Sequence, residues 1–490
     1  MPISPQALTA EGPASQISCD VLVVGAFSDD GGIELTTSAQ TADAALNGEI
    51  AGWVADGFKA KVGEVALLPS GGRLPAAAIA VVGLGERSSA VPHTIRRAAA
   101  KAARRLGDRA DVASTLHSAI EEVDAATIAS VEGFLLGTYR YDGLKTDPQP
   151  ARLQRLIIVD GDIEAVEHGS TTAHAVALAR DLTNEPASSL TPKAMARRAK
   201  ETADVTGLQC RVSDAKDLEV RGFGGIVGVG KGGDEPPCLI ELRYRPPGAT
   251  EKVALVGKGV TYDTGGYSIK PAASMETMKT DMAGGAIVLA VMSVLGRLGV
   301  TKEVVAYIPC AENMISGSAI RPGDVIKQYG GRSVEVTNTD AEGRLLLADA
   351  LVLASEEKPH AIIDVATLTG HVTIALGGRV TGFFSTDDEL AHEIESAADR
   401  SGEGFWRLPL VDSYLEGLSS PVADLKNSGP RPGGAIAAAL FLKEFVGKNI
   451  PWAHLDIAGT GRSDSRYDEV SKGGTGIPVR TLIEWISKRP

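Results

Sequence analysis

Short aliphatic runs bounded by turn-forming residues alternate with helical segments along this 490-residue chain, and that alternation restricts the fold more than any other feature. In the first part, Cys19 to Gly25, Ala78 to Gly83 and Arg155 to Asp160 read as buried strands, and His93 to Leu106 and Val123 to Leu136 as helices. From Pro237 onward the strand signals are Leu239 to Arg243, Lys252 to Val256, Val304 to Ile308, His360 to Val365 and Trp452 to Leu455. Helical patterns separate them at Met282 to Leu298, Leu345 to Ala354, Leu390 to Ala398 and Ala435 to Phe445. The pattern predicts an α/β protein whose larger part is a mixed sheet flanked by helices. Composition shifts at Thr146-Asp147-Pro148-Gln149-Pro150, a helix over about Thr172 to Leu182 follows, and Thr191-Pro192 opens another with a cap and an N1 proline. The expected organisation is an N-terminal α/β domain for assembly or regulation over 1–168, a linker helix over 169–184 and a catalytic domain over 185–490.

Bulk properties remove several classes of function. A net charge of −13 argues against nucleic acid or an anionic membrane as the main partner. Arg96, Arg97, Lys101, Arg104 and Arg105 cluster at helical spacing and read as a solvated face. The four cysteines are scattered, which gives neither a disulfide framework nor a thiolate zinc site and points to a reducing compartment. The first eighteen residues lack the apolar core of a signal peptide, and the longest apolar stretch, near Gly284 to Gly296, is shorter than the ~20 residues a spanning helix needs. The expected setting is cytoplasmic.

Three familiar motifs fail in detail. Gly225 to Gly232 approaches G-x-x-x-x-G-K-[ST] but ends in glycine, so it offers no hydroxyl to Mg²⁺ and reads as a tight turn. His392-Glu393-Ile394-Glu395-Ser396 lacks the second histidine of H-E-x-x-H, and Gly266 to Lys270 is no G-x-S-x-G elbow. Acidic segments at element ends are more informative. In Asn338-Thr339-Asp340-Ala341-Glu342-Gly343-Arg344, an extended backbone leading into the next helix would turn Asp340, Glu342 and Arg344 to one side. The alternative is an acidic turn at a helix start. Val256 to Pro271 places Lys258 at a strand end, Asp263 in a glycine-rich loop and Lys270 seven residues later; Asp281 precedes a helix in Met278 to Gly285. Each residue has a bland reading as a cap, turn or surface charge, but three carboxylate-bearing segments at such positions in one domain favour a shared site.

The stretches VGKGVTYDTGGYSIKP, MKTDMAGG and NTDAEGRLLLADAL resemble the leucyl aminopeptidase family, the dinuclear metallopeptidases called cytosol aminopeptidases. Further matching pieces are Asn184-Glu185-Pro186, Ala311 to Met314, Arg321 to Asp324, Asp364 to Gly370 and Trp452 to Ala458. The likeness covers roughly Asp181 to the C-terminus. The first domain is similar only in general character, as a macro-like α/β domain.

The resemblance implies that Lys258, Asp263, Asp281, Asp340 and Glu342 hold two divalent metal ions, Zn²⁺, Mn²⁺ or Mg²⁺. Lys258 would ligate as the neutral amine, its pKa depressed by the metal. A hydroxide bridging the ions would attack the first peptide carbonyl of a substrate with a free N-terminus. It further implies that Lys270 stabilises the developing oxyanion and that Arg344 binds bicarbonate as general base. Met278, Thr367, Leu368, Gly370 and Ala458 would form the side-chain pocket, suited to leucine-like residues. A homohexamer, a dimer of trimers, is the implied assembly. Ile315, His371 and Tyr267 depart from the family pattern, and His371 and Tyr267 bear on substrate preference. Two other readings are a fold that has lost catalysis and serves nucleic-acid binding or scaffolding, and a nucleotide hydrolase using Gly225 to Gly232.

Overall fold

The computed structural model describes residues 5–29, 32–107, 109–148 and 153–489. Gln149 and Pro150 of the expected domain break lie outside the described residues. The chain divides into two compact units, one of Met1–Ala177 with Ser465–Lys472 and one of Leu178–Asp464 with Gly473–Pro490.

In the first unit the strands are β1 (Gln6–Ala10), β2 (Val21–Asp29), β3 (Gly32–Leu35), β4 (Val65–Pro69), β5 (Ala78–Glu86), β6 (Asp111–Ser114) and β7 (Arg155–Val159). Among the described residues they form one sheet, in the order β1-β7-β6-β2-β5-β4 with β3 on β2. Val21 to Val24 are fully buried, as a central strand with both faces covered requires. The basic helix Pro92–Arg105 packs its alanines against the helix Val123–Gly137, where a Cβ at Gly133 would lie 2.3 Å from the Arg96 carbonyl oxygen.

Of the five basic residues expected to form a solvated face, Arg105 is exposed, but the other four are engaged by other parts of the unit. Arg96 is 3% exposed and lies 3.3 Å from Glu132 and 3.0 Å from Glu469. Arg97 and Lys101 reach Asp468 Oδ1 at 3.1 and 3.4 Å, and Arg104 donates to the Asp468 carbonyl. Asp468 and Glu469 come from Ser465–Lys472, more than 360 residues away in sequence, where helical spacing gives no hint of them. These contacts neutralise most of the patch on which a nucleic-acid reading would rest.

The second unit contains β8 (Gln209–Ser213), β9 (Cys238–Tyr244), β10 (Lys252–Gly257), β11 (Gly259–Asp263), β12 (Glu303–Asn313), β13 (Val325–Lys327), β14 (Ser333–Glu335), β15 (Ala361–Ala366), β16 (Val380–Ser385), β17 (Gly404–Arg407), β18 (Leu425–Lys426) and β19 (Trp452–Asp456). The main sheet runs β17-β16-β19-β15-β10-β12-β9-β8, with β11 on β12, while β13, β14 and β18 make a small separate sheet. Strands β19, β15, β10 and β12 are parallel, β9 runs antiparallel to β12, and β8 pairs antiparallel with β9 and so resumes the central direction, which makes the sheet mixed. Ala254 and Val256 of β10 share a core with Leu345 to Leu351 of the helix Gly343–Glu356, while Val253 and Leu255 are buried on the other side. The helix Ala283–Met292 also packs on β10 and β15, every residue of it buried. It stops short of the expected Leu298, and the chain reverses at Gly299, whose φ of +63° favours glycine.

Gly225 to Gly230 is helical rather than a turn, within Gly224–Gly230. A Cβ at Gly225 would meet the Leu345 carbonyl at 2.1 Å, so its bare backbone serves helix packing, with no phosphate-cradling loop.

Candidate metal centre

The parallel strands all end on one side, and the loops leaving them carry the acidic residues. Lys258 follows β10, Asp263 closes β11, Thr367 to Gly370 follow β15 and Ala458 follows β19. Asp281 precedes the helix Ala283–Met292; Asp340 and Glu342 precede Gly343–Glu356. These residues, with Lys270, Arg344, Met278 and Leu368, all line one cleft of about 700 Å³.

Asp340 and Glu342 do converge, but through a turn. Asn338 Oδ1 accepts from the Asp340 amide at 2.9 Å, and Glu342 already has helical φ and ψ. Arg344 lies in the helix itself, so it reaches the cleft by a different route from the extended backbone expected. Carboxylate oxygens of Asp263, Asp340 and Glu342 come within 4.8 Å of one another. Asp281 joins through Lys258, whose ammonium lies 2.7 Å from Asp281 Oδ2 and 2.8 Å from Glu342 Oε1. Lys270 lies 2.8 Å from Asp263 and 2.5 Å from Asp340. Gly265, at φ +83°, lets the loop pass Asp340, since a Cβ there would fall 2.9 Å from Asp340 Oδ1.

Four carboxylates against two lysines leave the cluster two negative charges in excess, in a place where burial penalises every one of them. Burial, with the Glu342 charge, pushes Asp263 up to about 6 against the pull of Lys270 and Lys258. Burial also raises Asp281 and Asp340, opposed by Lys258 and Lys270 respectively. Glu342 goes the other way, because the two lysines outweigh its burial. Burial alone would lower Lys258, but Asp281, Glu342 and Asp263 raise it above its ordinary value. Asp281 Oδ2, Asp340 Oδ1 and Glu342 Oε1 are buried and, although a lysine is near each, none is aligned to accept a hydrogen bond. Hard oxygen donors, excess negative charge and unsatisfied buried oxygens fit divalent cations.

Arg344 is buried against Phe441, its guanidinium carbon 5.9 Å from the ring centroid, and Nη1 donates to the Asn427 carbonyl at 2.8 Å. Burial lowers it to about 10, against the charges of Glu342 and Asp456. Its Nε is buried without a hydrogen-bond partner, which fits a small anion.

Several supporting residues escape sequence reasoning. Asn313, at the end of β12, donates to Asp263 Oδ1 at 2.8 Å and to the Thr339 carbonyl at 3.0 Å. Asn427 accepts from the amides of Thr337 and Asn338 and donates to the carbonyls of Asn338 and Ala341. Asp456 Oδ1 accepts from the amides of Leu368 (3.2 Å), Thr369 (3.3 Å) and Ala458 (3.2 Å), and Oδ2 from the Thr369 hydroxyl (2.7 Å). Beneath it His454 lies 2.6 Å from Asp364. Asn313 and Asp456 stand in motif pieces quoted for the resemblance, which gave them no role. Asn427 had no sequence signal, since its partners lie some 90 positions away.

Comparison with known proteins identifies the family. The cytosol aminopeptidase family's catalytic-domain model matches residues 177–483 and its N-terminal-domain model residues 23–148. A probable cytosol aminopeptidase of Rippkaea orientalis is 42% identical, over 95% of this chain and 96% of its own length. The structure of the bottromycin maturation enzyme BotP in complex with Mn superposes with a TM-score of 0.87 at 40% identity, covering 96% of this chain and 99% of that one. A mutant of tomato leucine aminopeptidase superposes with a TM-score of 0.89 at 34% identity, covering 99% and 97%. The chain belongs to the cytosol aminopeptidase family, two-domain metal-dependent peptidases.

Proposed function

We propose that the protein is a dinuclear metal aminopeptidase that releases N-terminal residues, leucine-like ones by preference, from peptides. The observation that carries this reading is the buried cluster of four carboxylates and two lysines beyond the strand ends, with an excess negative charge that divalent cations would offset. Asp263, Asp281, Asp340, Glu342 and a neutral Lys258 would hold two divalent ions, Zn²⁺, Mn²⁺ or Mg²⁺. When bound, such ions supply Lewis acidity and lower the pKa of water.

The chain's own residues then have separable tasks. Lys258 must give up a proton that its carboxylate neighbours favour, so ion binding and lysine deprotonation are coupled. Lys270, 15% exposed, is a cation beside Asp263 and Asp340, placed to meet negative charge developing on a substrate carbonyl. Arg344, with its free Nε, would seat bicarbonate, which supplies a proton acceptor. Thr367 ties the peptide-binding loop to the cluster, its hydroxyl donating to Asp281 at 2.7 Å and its carbonyl accepting from Lys258 at 3.2 Å. Met278, Leu368, Gly370 and Ala458 complete a mainly apolar wall for the first side chain.

The test is hydrolysis of leucine p-nitroanilide with added Mn²⁺ or Zn²⁺. Asp340→Asn and Glu342→Gln should each abolish turnover while circular dichroism and melting temperature stay close to the parent's. Full activity of either variant in metal-replete buffer contradicts the reading.

A further inference from the structure

The acidic centre occupies only part of the cleft. Away from it the lining holds no carboxylate, and its charged groups are Arg431 and Arg462, with His371 on the same lining. Arg462 is engaged by Asp464. Arg431 is exposed and has no ion pair or hydrogen bond among the described residues.

Arg431 is also held in place. It lies between Pro430 and Pro432, whose rings fix φ on either side of it. Pro430 packs on Gly417, where a Cβ would come within 2.8 Å of the proline ring, and Gly433 packs on Tyr414, where a Cβ would meet the ring at 2.7 Å. At its inner end the loop is fixed by Asn427, which is fully buried and bonded to both Arg344 and the Asn338 segment. The His371 imidazole fills the space over Gly434, where a Cβ would lie 2.5 Å from the ring, so it abuts the far end of the same loop. A peptide offers an amine at one end and a carboxylate at the other. The cleft offers carboxylates at its centre and an unpaired guanidinium beyond them.

We propose that Arg431, with His371 beside the same loop, receives a substrate carboxylate on the leaving-group side of the scissile bond, so that the preferred substrates are short peptides with a C-terminal carboxylate or an acidic side chain there. This rests on the aminopeptidase reading and adds a substrate class to it.

The experiment measures kcat/KM for Leu-Gly-Gly against its C-terminal amide, and for Leu-Asp-Gly amide against Leu-Asn-Gly amide. The first pair probes the terminal carboxylate and the second an acidic side chain. The parent should favour the carboxylate-bearing member of at least one pair by about fivefold, the upper end for an ion pair on an exposed arginine. The preference should shrink in 0.5 M salt as screening shortens to roughly 4 Å. Arg431→Gln should reduce the ratio to near one, and Arg431→Lys should restore part of it. Equal rates within both pairs for the parent, or a ratio retained in Arg431→Gln, overturn the proposal while leucine p-nitroanilide turnover leaves the aminopeptidase reading standing. Absence of turnover on every substrate overturns both.

Discussion

Replacing Asp456 by asparagine tests whether the loop after β15, proposed to bind substrate, owes its position to one buried carboxylate. Asp456 is 1% exposed and accepts three amides and a hydroxyl, from Leu368, Thr369 and Ala458. A hydrogen bond to a charged acceptor contributes ~1.5–3 kcal/mol and to a neutral one ~0.5–1.5, so three amides lose about 3 kcal/mol on neutralisation. Burial raises the Asp456 pKa, so for the fold as a whole the carboxylate costs more in desolvation than these bonds return. The loop's position depends on the bonds themselves, and about 2 kcal/mol of their loss felt there is roughly thirtyfold in kcat/KM. The hydroxyl of Thr369 also caps the helix Gly370–Leu376 by accepting from Val372, so a turned hydroxyl would loosen the helix start beside the pocket. Steady-state kinetics on leucine p-nitroanilide, with metal content measured by mass spectrometry, should show KM rising and metal retained, because Asp456 touches no member of the metal cluster directly. A kcat/KM within threefold of the parent, or loss of metal with activity, refutes the reasoning.

Other expectations follow from the same geometry. Lys270→Ala should lower kcat on leucine p-nitroanilide by about a hundredfold or more, the scale for one electrostatic stabiliser, with metal content kept. Loss of both metals would contradict its role. Gly343→Ala places a Cβ 2.6 Å from Lys258 Cε and 2.7 Å from Nζ, so it should weaken Mn²⁺ binding in calorimetric titration by about tenfold without altering any ligand. Asp349 is buried, accepts from the Ile226 and Tyr329 amides, and is pushed by burial to about 7 from 3.8. Its folded form therefore holds a proton that the unfolded chain has lost, so its contribution to stability falls as pH rises from 3.8 to about 7. Denaturant titrations across that range should show a shallower decline for Asp349→Asn than for the parent.

Much of the second unit was legible because β10, β12, β15 and β19 are mainly apolar runs, the signature of strands covered on both faces. The acidic residues were legible because they stand at element ends, where a buried charge has few structural uses. Three features were not. The turn at Asn338 depends on a side chain accepting its neighbour's amide, and nothing in the residue spacing distinguishes it from an extended approach. The helix at Gly224–Gly230 is made of glycines and β-branched Ile226, Val227 and Val229, all of poor helix propensity, and it exists because Gly225 can lie against Leu345. The burial of Arg96 depends on Glu132 and Glu469, and local periodicity cannot register a partner 373 residues away.

The assignment of Ser465–Lys472 to the first unit has a consequence for anyone who wishes to cut or graft this chain. No single cleavage point separates the units, because eight residues of the C-terminal portion belong with the N-terminal one. A fragment beginning at Leu178 would carry Asp468 and Glu469 without Arg96, Arg97, Lys101 and Arg104, leaving two acids stripped of their counter-ions in the middle of its sequence. The complementary fragment ending at Ala177 would expose those cations and gain the adhesive basic face that the intact protein conceals. Each half, expressed alone, would display a charge pattern foreign to the whole, so modular exchange in this architecture calls for three junctions instead of one.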